Sequence, residues 1–167
     1  MSEFVNTIDI LGDSGLEDAI VTKSLSGELN DDVITRLCYM IVANLPDLKK
    51  VNVPNLEFFN AHSLCRNTAL EVIVASSVTR IYANAFQSDT SLKALVMGGS
   101  VLCSLDNVNA FTGTLIKSGT GYIYVPRALL ADYQAATNWS TFADQFRALE
   151  DYTVDGTTTG ELDETKI

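Results

Sequence analysis

The chain has 167 residues, of which 47% are apolar and 19% are charged, so it is long enough and apolar enough to fold around a hydrophobic core. Its net charge of −10 and sequence pI near 4.3 argue against binding to nucleic acid or anionic lipid, because both need clustered lysine and arginine. The longest apolar runs fall short of the roughly eighteen residues of a membrane span, so we expect no membrane-spanning segment.

Residues 1–33 form the first predicted segment. Phe4 to Leu11 alternates as a β-strand does, Leu16 to Ile20 has the spacing of a short helix, and Ser26 to Asp32 is expected to be a loop. The segment either caps the core or attaches the protein to a larger assembly, and the sequence leaves both open. The candidate attachment residues are Phe4, Val5, Ile8, Ile10 and Leu16.

Ser14 lies in the stretch "ILGDSGLED", which resembles the first block of the GDSL-type esterases and the serine region of trypsin-like proteases. A serine nucleophile needs a histidine base and an orienting carboxylate. The sequence has one histidine, His62, and Phe59 stands where an Asp-x-x-His block would need aspartate. We therefore expect Ser14 to begin a turn or helix, and a serine esterase using Ser14 is a distant alternative.

The centre of the chain repeats with a period of 22 residues. The units are "ITRLCYMIVANLPDLKKVNVP" (34–54), "LEFFNAHSLCRNTALEVIVAS" (56–76) and "VTRIYANAFQSDTSLKALVMG" (78–98). Such a period with recurrent apolar residues is typical of a solenoid, in which stacked units share one core. The superposed apolar positions are Ile34, Leu56 and Val78; Leu37, Phe59 and Ile81; Val42, Leu64 and Phe86; Leu48, Leu70 and Leu92; Val51, Ile73 and Leu95; and Val53, Ala75 and Met97.

Each unit contains a short alternating run, such as Leu70 to Ala75, which predicts a strand of a parallel sheet, with Phe86 filling the core opposite. A looser fourth copy follows, in which Phe111 matches Phe86 and Gly121 to Pro126 matches the strand. Its longer spacing requires an insertion near residues 98–101 or 113–120.

Residues 78–97 resemble the Treponema-type (BspA-like) leucine-rich repeat of bacterial and phage surface proteins, and residues 34–75 resemble it less closely. The segment 121–149 resembles the unit that closes such arrays. The family's cysteine position is occupied here by Leu45, Asn67 and Asp89. The resemblance implies an α/β fold: a short leucine-rich-repeat solenoid with one parallel β-sheet, a helical C-terminal cap and a small N-terminal attachment segment. The repeats, about four units, would occupy residues 34–126.

Residues 127–150 are predicted to form two capping helices, separated at Asn138-Trp139-Ser140. The second helix would carry Phe142, Phe146 and Leu149. We expect Trp139 to plug the end of the core, because terminal repeats must be sealed from water. Residues 151–167 are polar and predict a loose tail or a hairpin.

The strand register suggests a candidate contact surface. If Val51, Ile73, Leu95 and Ile123 point into the core, their neighbours point outward. Exposed apolar patches usually mark contacts, and we expect this one to be covered by a second subunit. The N-terminal segment, or a sugar or protein ligand, is the alternative cover. The apolar outward residues are Val72, Val74, Ala94, Val96, Tyr122 and Tyr124.

The remaining chemistry is sparse. Cys38, Cys65 and Cys103 are widely spaced and are predicted to be buried free thiols, and a single histidine makes a metal site improbable. We expect no catalytic residue, cofactor or metal ion.

The resemblance implies a non-enzymatic accessory protein of a bacteriophage virion: a capsid decoration, head fibre or tail appendage, assembled in the host cytoplasm. Its expected partners are other virion proteins and copies of itself in a homo-oligomer, with a bacterial surface glycan or protein as a further partner. Neither nucleic acid nor membrane is an expected partner. The alternative is a bacterial cell-surface adhesin, which would need an export signal. Met1 to Phe4 lacks the features of one, so we expect a protein that stays where it is made, unless a signal has been removed.

Overall fold

The computed structural model describes residues 27–32, 34–37, 39–157 and 162–167. Over these residues the protein is an α/β structure of parallel strands with few, short helices. The predictions for Ser14 and for the candidate attachment residues Phe4, Val5, Ile8, Ile10 and Leu16 lie outside the described residues. The described strands are β1 (Gly27–Asn30), β2 (Arg36–Leu37), β3 (Leu48–Asn52), β4 (Phe58–Phe59), β5 (Val72–Val74), β6 (Arg80–Ile81), β7 (Ala94–Val96), β8 (Ser104–Leu105), β9 (Tyr122–Val125) and β10 (Phe146–Ala148).

The strands form two parallel sheets. The larger sheet has the order β1-β3-β5-β7-β9-β10, and the smaller has the order β2-β4-β6-β8. The central strands of the larger sheet read Val-Ile-Val, Ala-Leu-Val and Tyr-Ile-Tyr-Val, the β-branched and aromatic composition that suits a pleated, buried strand. The predicted parallel sheet is therefore confirmed, and the smaller sheet is an addition that the sequence did not indicate.

One hydrophobic cluster contains the buried residues of both sheets. It includes Val51, Ile73, Leu95 and Ile123 from the larger sheet, each with no exposed surface, and Phe59 and Ile81 from the smaller one. All eighteen superposed apolar positions of the three 22-residue units belong to this cluster, so their predicted burial is confirmed. Phe86 packs with its ring centroid 4.9 Å from that of Phe59 and 5.3 Å from that of Phe111.

The strand register follows the sequence spacing. Leu29, Val51, Ile73 and Leu95 are consecutive partners in the larger sheet, so each step between partners equals the period of the sequence. The next step, from Leu95 to Ile123, is longer than the period. In the smaller sheet the step from Ile81 to Leu105 also exceeds the period, but by fewer residues. The extra residues therefore fall in two places, before and after β8, and those loops contain both of the predicted insertion sites.

Two element predictions were wrong. The stretch Gly27–Asn30 is strand β1 rather than a loop, because Leu29 continues the buried row of Val51. Phe146–Ala148 is strand β10, paired with β9, rather than part of a second capping helix. Helix is present where the first capping helix was predicted: a 3₁₀ turn at Arg127–Leu129 leads into a short α-helix at Leu130–Ala135.

Trp139 closes the core near β8 and β10. It begins a 3₁₀ helix, Trp139–Gln145, immediately after Asn138, which has a φ of 63°; the preceding α-helix has already ended at Ala135, because Ala136 is extended. The indole is fully buried, and its Nε1 donates a hydrogen bond to the carbonyl of Cys103 at 2.7 Å. Its ring packs against those of Phe111, Tyr133 and Phe146, which confirms the predicted plug.

Candidate functional site

The six residues of the candidate contact surface lie in register on the larger sheet, on the side away from the main core. Val72 pairs with Ala94, which pairs with Tyr122, and Val74, Val96 and Tyr124 form the parallel row. However, Val72 is 8% exposed, Val96 3% and Tyr124 1%, and Ala94 has no exposed surface. These four residues are therefore buried within the chain itself, and the contact with a second subunit that the sequence suggested stays a prediction. Val74 and Tyr122 are partly buried.

The cover comes from the chain itself. Residues 149–157 and 162–167, here called the strap, place Leu149, Tyr152, Leu162 and Ile167 on this face, where they form a second apolar cluster with the six. The Tyr152 ring meets that of Tyr124 edge to face, with 4.9 Å between centroids. The strap escaped prediction because its apolar residues occur singly among polar ones and show no period. A partner approaching this face would meet the strap first.

Polar contacts also hold the strap. Within it, Thr153 and Leu162 form an antiparallel bridge, and Asp163 N donates to the carbonyl of Tyr152 at 2.8 Å. This is the pairing expected of a hairpin. Between the strap and the sheet, Lys50 Nζ lies 3.1 Å from Glu164 Oε1.

A hollow of about 220 Å³ lies where the end of the strap crosses the first strands. Its charged walls alternate in sign along the sheet: Lys49, Glu71 and Lys93 occupy successive strands or strand starts, and Lys93 Nζ lies 2.8 Å from Glu71 Oε2. Opposite charges so arranged offset each other. The hollow is lined by Glu28, Lys49, Lys50, Glu71, Val72, Lys93, Glu164 and Ile167.

The outward side of the smaller sheet carries an ordered cation–aromatic group. The Arg80 guanidinium lies 4.4 Å from the ring centroid of Tyr82 and forms two hydrogen bonds to Asp106, at 2.9 and 3.1 Å. The ring of Phe58 packs on Tyr82 with 6.2 Å between centroids. Tyr39, which follows strand β2 of the same sheet, is 53% exposed. No pattern in the sequence indicated this group, because its members come from separate strands and turns.

His62 does not have the surroundings of a catalytic base in the part of the chain that the structure describes. Its Nε2 lies 3.4 Å from Asn84 Nδ2, and its ring contacts that of Tyr39. An amide and a phenol ring are its neighbours here, whereas a triad would place a serine and a carboxylate beside it.

The two described cysteines are buried and free, as predicted: Cys65 and Cys103. Burial raises the pKa of the Cys103 thiol to about 12, which keeps it protonated. Cys38 lies outside the described residues. Among the residues described, no three His, Cys, Asp or Glu side chains are grouped closely enough to hold a metal ion. The helices in those same ranges include none long and apolar enough to cross a membrane.

Asn67 and Asp89, which are one 22-residue period apart, form a buried polar column. Asn67 Oδ1 accepts from Leu45 N at 3.0 Å, and Asp89 Oδ1 accepts from Asn67 N at 2.7 Å. The Asn67 side chain also donates to the carbonyls of Val42 and Leu64, at 2.9 and 2.6 Å. Each side chain therefore caps backbone of the preceding unit. Asp89 makes this contact through Oδ1 alone, and its Oδ2 is buried without a hydrogen-bond partner among the described residues.

Comparison with known proteins gives no assignment: no family model matches the chain, and no curated protein matches it significantly.

Proposed function

We propose that this chain is a short leucine-rich-repeat solenoid of the Treponema type and serves as a non-enzymatic accessory protein of a bacteriophage virion. In this role it would be a capsid decoration, head fibre or tail appendage that makes contacts with virion proteins or the host surface. The role rests on the resemblance of residues 34–97 and 121–149 to that repeat family. The observation that carries the solenoid is the strand register.

The register supports stacking of equivalent units. Across β1, β3, β5 and β7 of the larger sheet, and across β2, β4 and β6 of the smaller one, partners in the core rows are one sequence period apart. One such row is Leu29, Val51, Ile73 and Leu95, and the other is Leu37, Phe59 and Ile81. Because a stacked unit contacts only its neighbours, such a scaffold forms an extended array whose outer surfaces can make contacts. Such a scaffold suits a display or attachment role.

Removal of one whole unit tests the solenoid. Deletion of residues 56–77, one full period, should leave the remaining units in register and give a chain that still unfolds cooperatively in urea. Deletion of residues 56–66, half a unit, is the matched control and should abolish cooperative unfolding, because it removes β4 and leaves a connection between β3 and β5 that is half a period too short. Loss of cooperative unfolding in both deletions would contradict the solenoid.

Particle proteomics tests the virion role. Particles from the native source would be purified on a density gradient, and the copy number of this chain measured against the major capsid protein. We expect recovery in a fixed stoichiometry, with many copies for a head decoration and few for a tail appendage. Absence from particles together with recovery from cell envelopes would overturn the proposal and favour the bacterial surface adhesin.

A further inference from the structure

We propose that the strap is a salt-sensitive latch that covers the outer face of the larger sheet and opens independently of the core. Its far end, residues 162–167, is held to the sheet by the ion pair between Lys50 and Glu164. This inference rests on the contacts of the strap alone and does not depend on the virion role.

The apolar side chains of the strap are less completely buried than those of the main core. Tyr152, Leu162 and Ile167 remain only partly buried while they cover Val72 and Val96, whereas the core residues beneath the same sheet, such as Ile73, have no exposed surface. The two apolar clusters are separate, so the strap can lift without exposing the main core. Segments with few buried contacts open at a lower free energy than the whole molecule unfolds.

The far end of the strap is tied to the sheet by charge. Lys50 on β3 reaches Glu164 at 3.1 Å, with 26% and 67% of the two side chains exposed. Of the strap's other two ion pairs among the described residues, Lys166 with Asp163 at 3.4 Å lies within the strap, and Arg127 with Asp151 joins the beginning of the strap to the 3₁₀ turn that follows β9. An exposed pair of this kind is weak and is screened by salt. Breaking it should therefore favour the open form without unfolding the chain.

Thiol trapping at Val72 measures this opening. Val72 is 8% exposed and lines the hollow together with Glu164 and Ile167, so a cysteine there becomes reactive when the far end lifts. The labelling rate of Val72→Cys would be compared with that of the same chain carrying Lys50→Gln. The parent chain, with its own three cysteines, gives the background.

Lys93→Gln is the matched control. This substitution removes a lysine charge from the same hollow. The ion-pair partner of Lys93, however, is Glu71, which belongs to the sheet and not to the strap. At low salt we expect Lys50→Gln to accelerate labelling at position 72 about two- to fivefold, the size of an exposed ion pair, and Lys93→Gln to leave the rate unchanged. At about 1 M salt, where charges are screened within about 3 Å, the difference should vanish.

Amide hydrogen exchange of the unmodified protein is an independent readout. The amide of Asp163, which bonds to Tyr152 O, reports the strap, and the amide of Ala75, which bonds to Val96 O, reports the sheet. We expect the Asp163 amide to exchange at least tenfold faster than the Ala75 amide, relative to their intrinsic rates. Equal protection of the two amides, or equal acceleration of labelling by both lysine variants, would overturn the latch, as would no effect of Lys50→Gln.

Discussion

The two oxygens of Asp89 have different surroundings. Oδ1 accepts a hydrogen bond from Asn67 N, whereas Oδ2, equally buried, has no hydrogen-bond partner in the described part of the chain. Burial raises the pKa of this carboxyl from 3.8 to about 9, and the Asn67 N–H acts in the opposite direction. The folded protein therefore holds Asp89 protonated at neutral pH, while the unfolded chain holds it ionised.

This difference makes stability depend on pH. Folding takes up a proton between the unfolded pKa of 3.8 and the folded pKa of about 9, so the free energy of unfolding falls as pH rises through that interval. Asp89→Asn removes the titration. Urea unfolding of both proteins at pH 5 to 8 should show the stability of the wild type falling relative to the variant, by at most about 1.4 kcal/mol per pH unit. Parallel pH profiles would contradict a protonated Asp89.

The variant should also be at least as stable as the wild type at pH 7. Asn67, one unit earlier, donates from its Nδ2 to the carbonyls of Val42 and Leu64. An asparagine at position 89 would carry an equivalent donor toward the next carbonyls in each row, those of Leu64 and Phe86. A net hydrogen bond contributes about 1 kcal/mol, and we expect a gain of that order in the free energy of unfolding.

Phe86 provides the matching prediction for the apolar core. It is fully buried between Phe59 and Phe111, so Phe86→Ala should lower the free energy of unfolding by about 3–5 kcal/mol, measured by urea denaturation. Tyr39→Ala, at a position that is 53% exposed, is the control and should change it by less than about 1 kcal/mol. A loss below about 1 kcal/mol for Phe86→Ala would mean that the site repacks.

At the level of elements, the sequence predicted what a periodic apolar pattern can specify. The rows through Val51 and Phe59 were predictable because each position is apolar in three consecutive units. Strand β1 was missed because Gly27–Asn30 has one apolar residue, and the smaller sheet because two-residue strands are too short to show alternation. The strap was missed for a related reason: its cluster depends on tertiary contacts between singly placed residues.

Gly121 shows how closely the start of β9 meets its neighbours. A Cβ at this position would lie 2.8 Å from Ile116 N and 2.9 Å from the carbonyl oxygen of Lys93. Both are backbone atoms and cannot rotate away. Gly121→Ala should therefore lower the free energy of unfolding by about 2 kcal/mol or more, whereas Thr120→Ala, at the exposed neighbour, should have a small effect. Equal stability of the two variants in thermal denaturation would show that the loop before β9 can shift.

At the scale of the whole molecule, one apolar cluster extends from Leu29 in β1 to Phe146 in β10. Its continuity leaves no internal boundary at which the main core could divide, so we expect the core to unfold in one cooperative step. Trp139 is the single tryptophan and lies near the β10 end, which makes its fluorescence a local probe. Urea transitions followed by Trp139 emission and by far-ultraviolet circular dichroism should coincide. Separate midpoints would mean that the ends unfold independently.

The strand register also sets how the length of this protein can change. In the solenoid that we propose, adding or removing one whole unit between β3 and β7, where consecutive partners are one period apart, would move the two ends apart or together by one strand spacing, about 4.8 Å, and leave both ends intact. The number of units would in this way set the distance between the two ends, in steps of one strand spacing. Whatever its two ends contact, the distance between those contacts can be adjusted in equal steps by unit duplication or loss, without redesign of either contact.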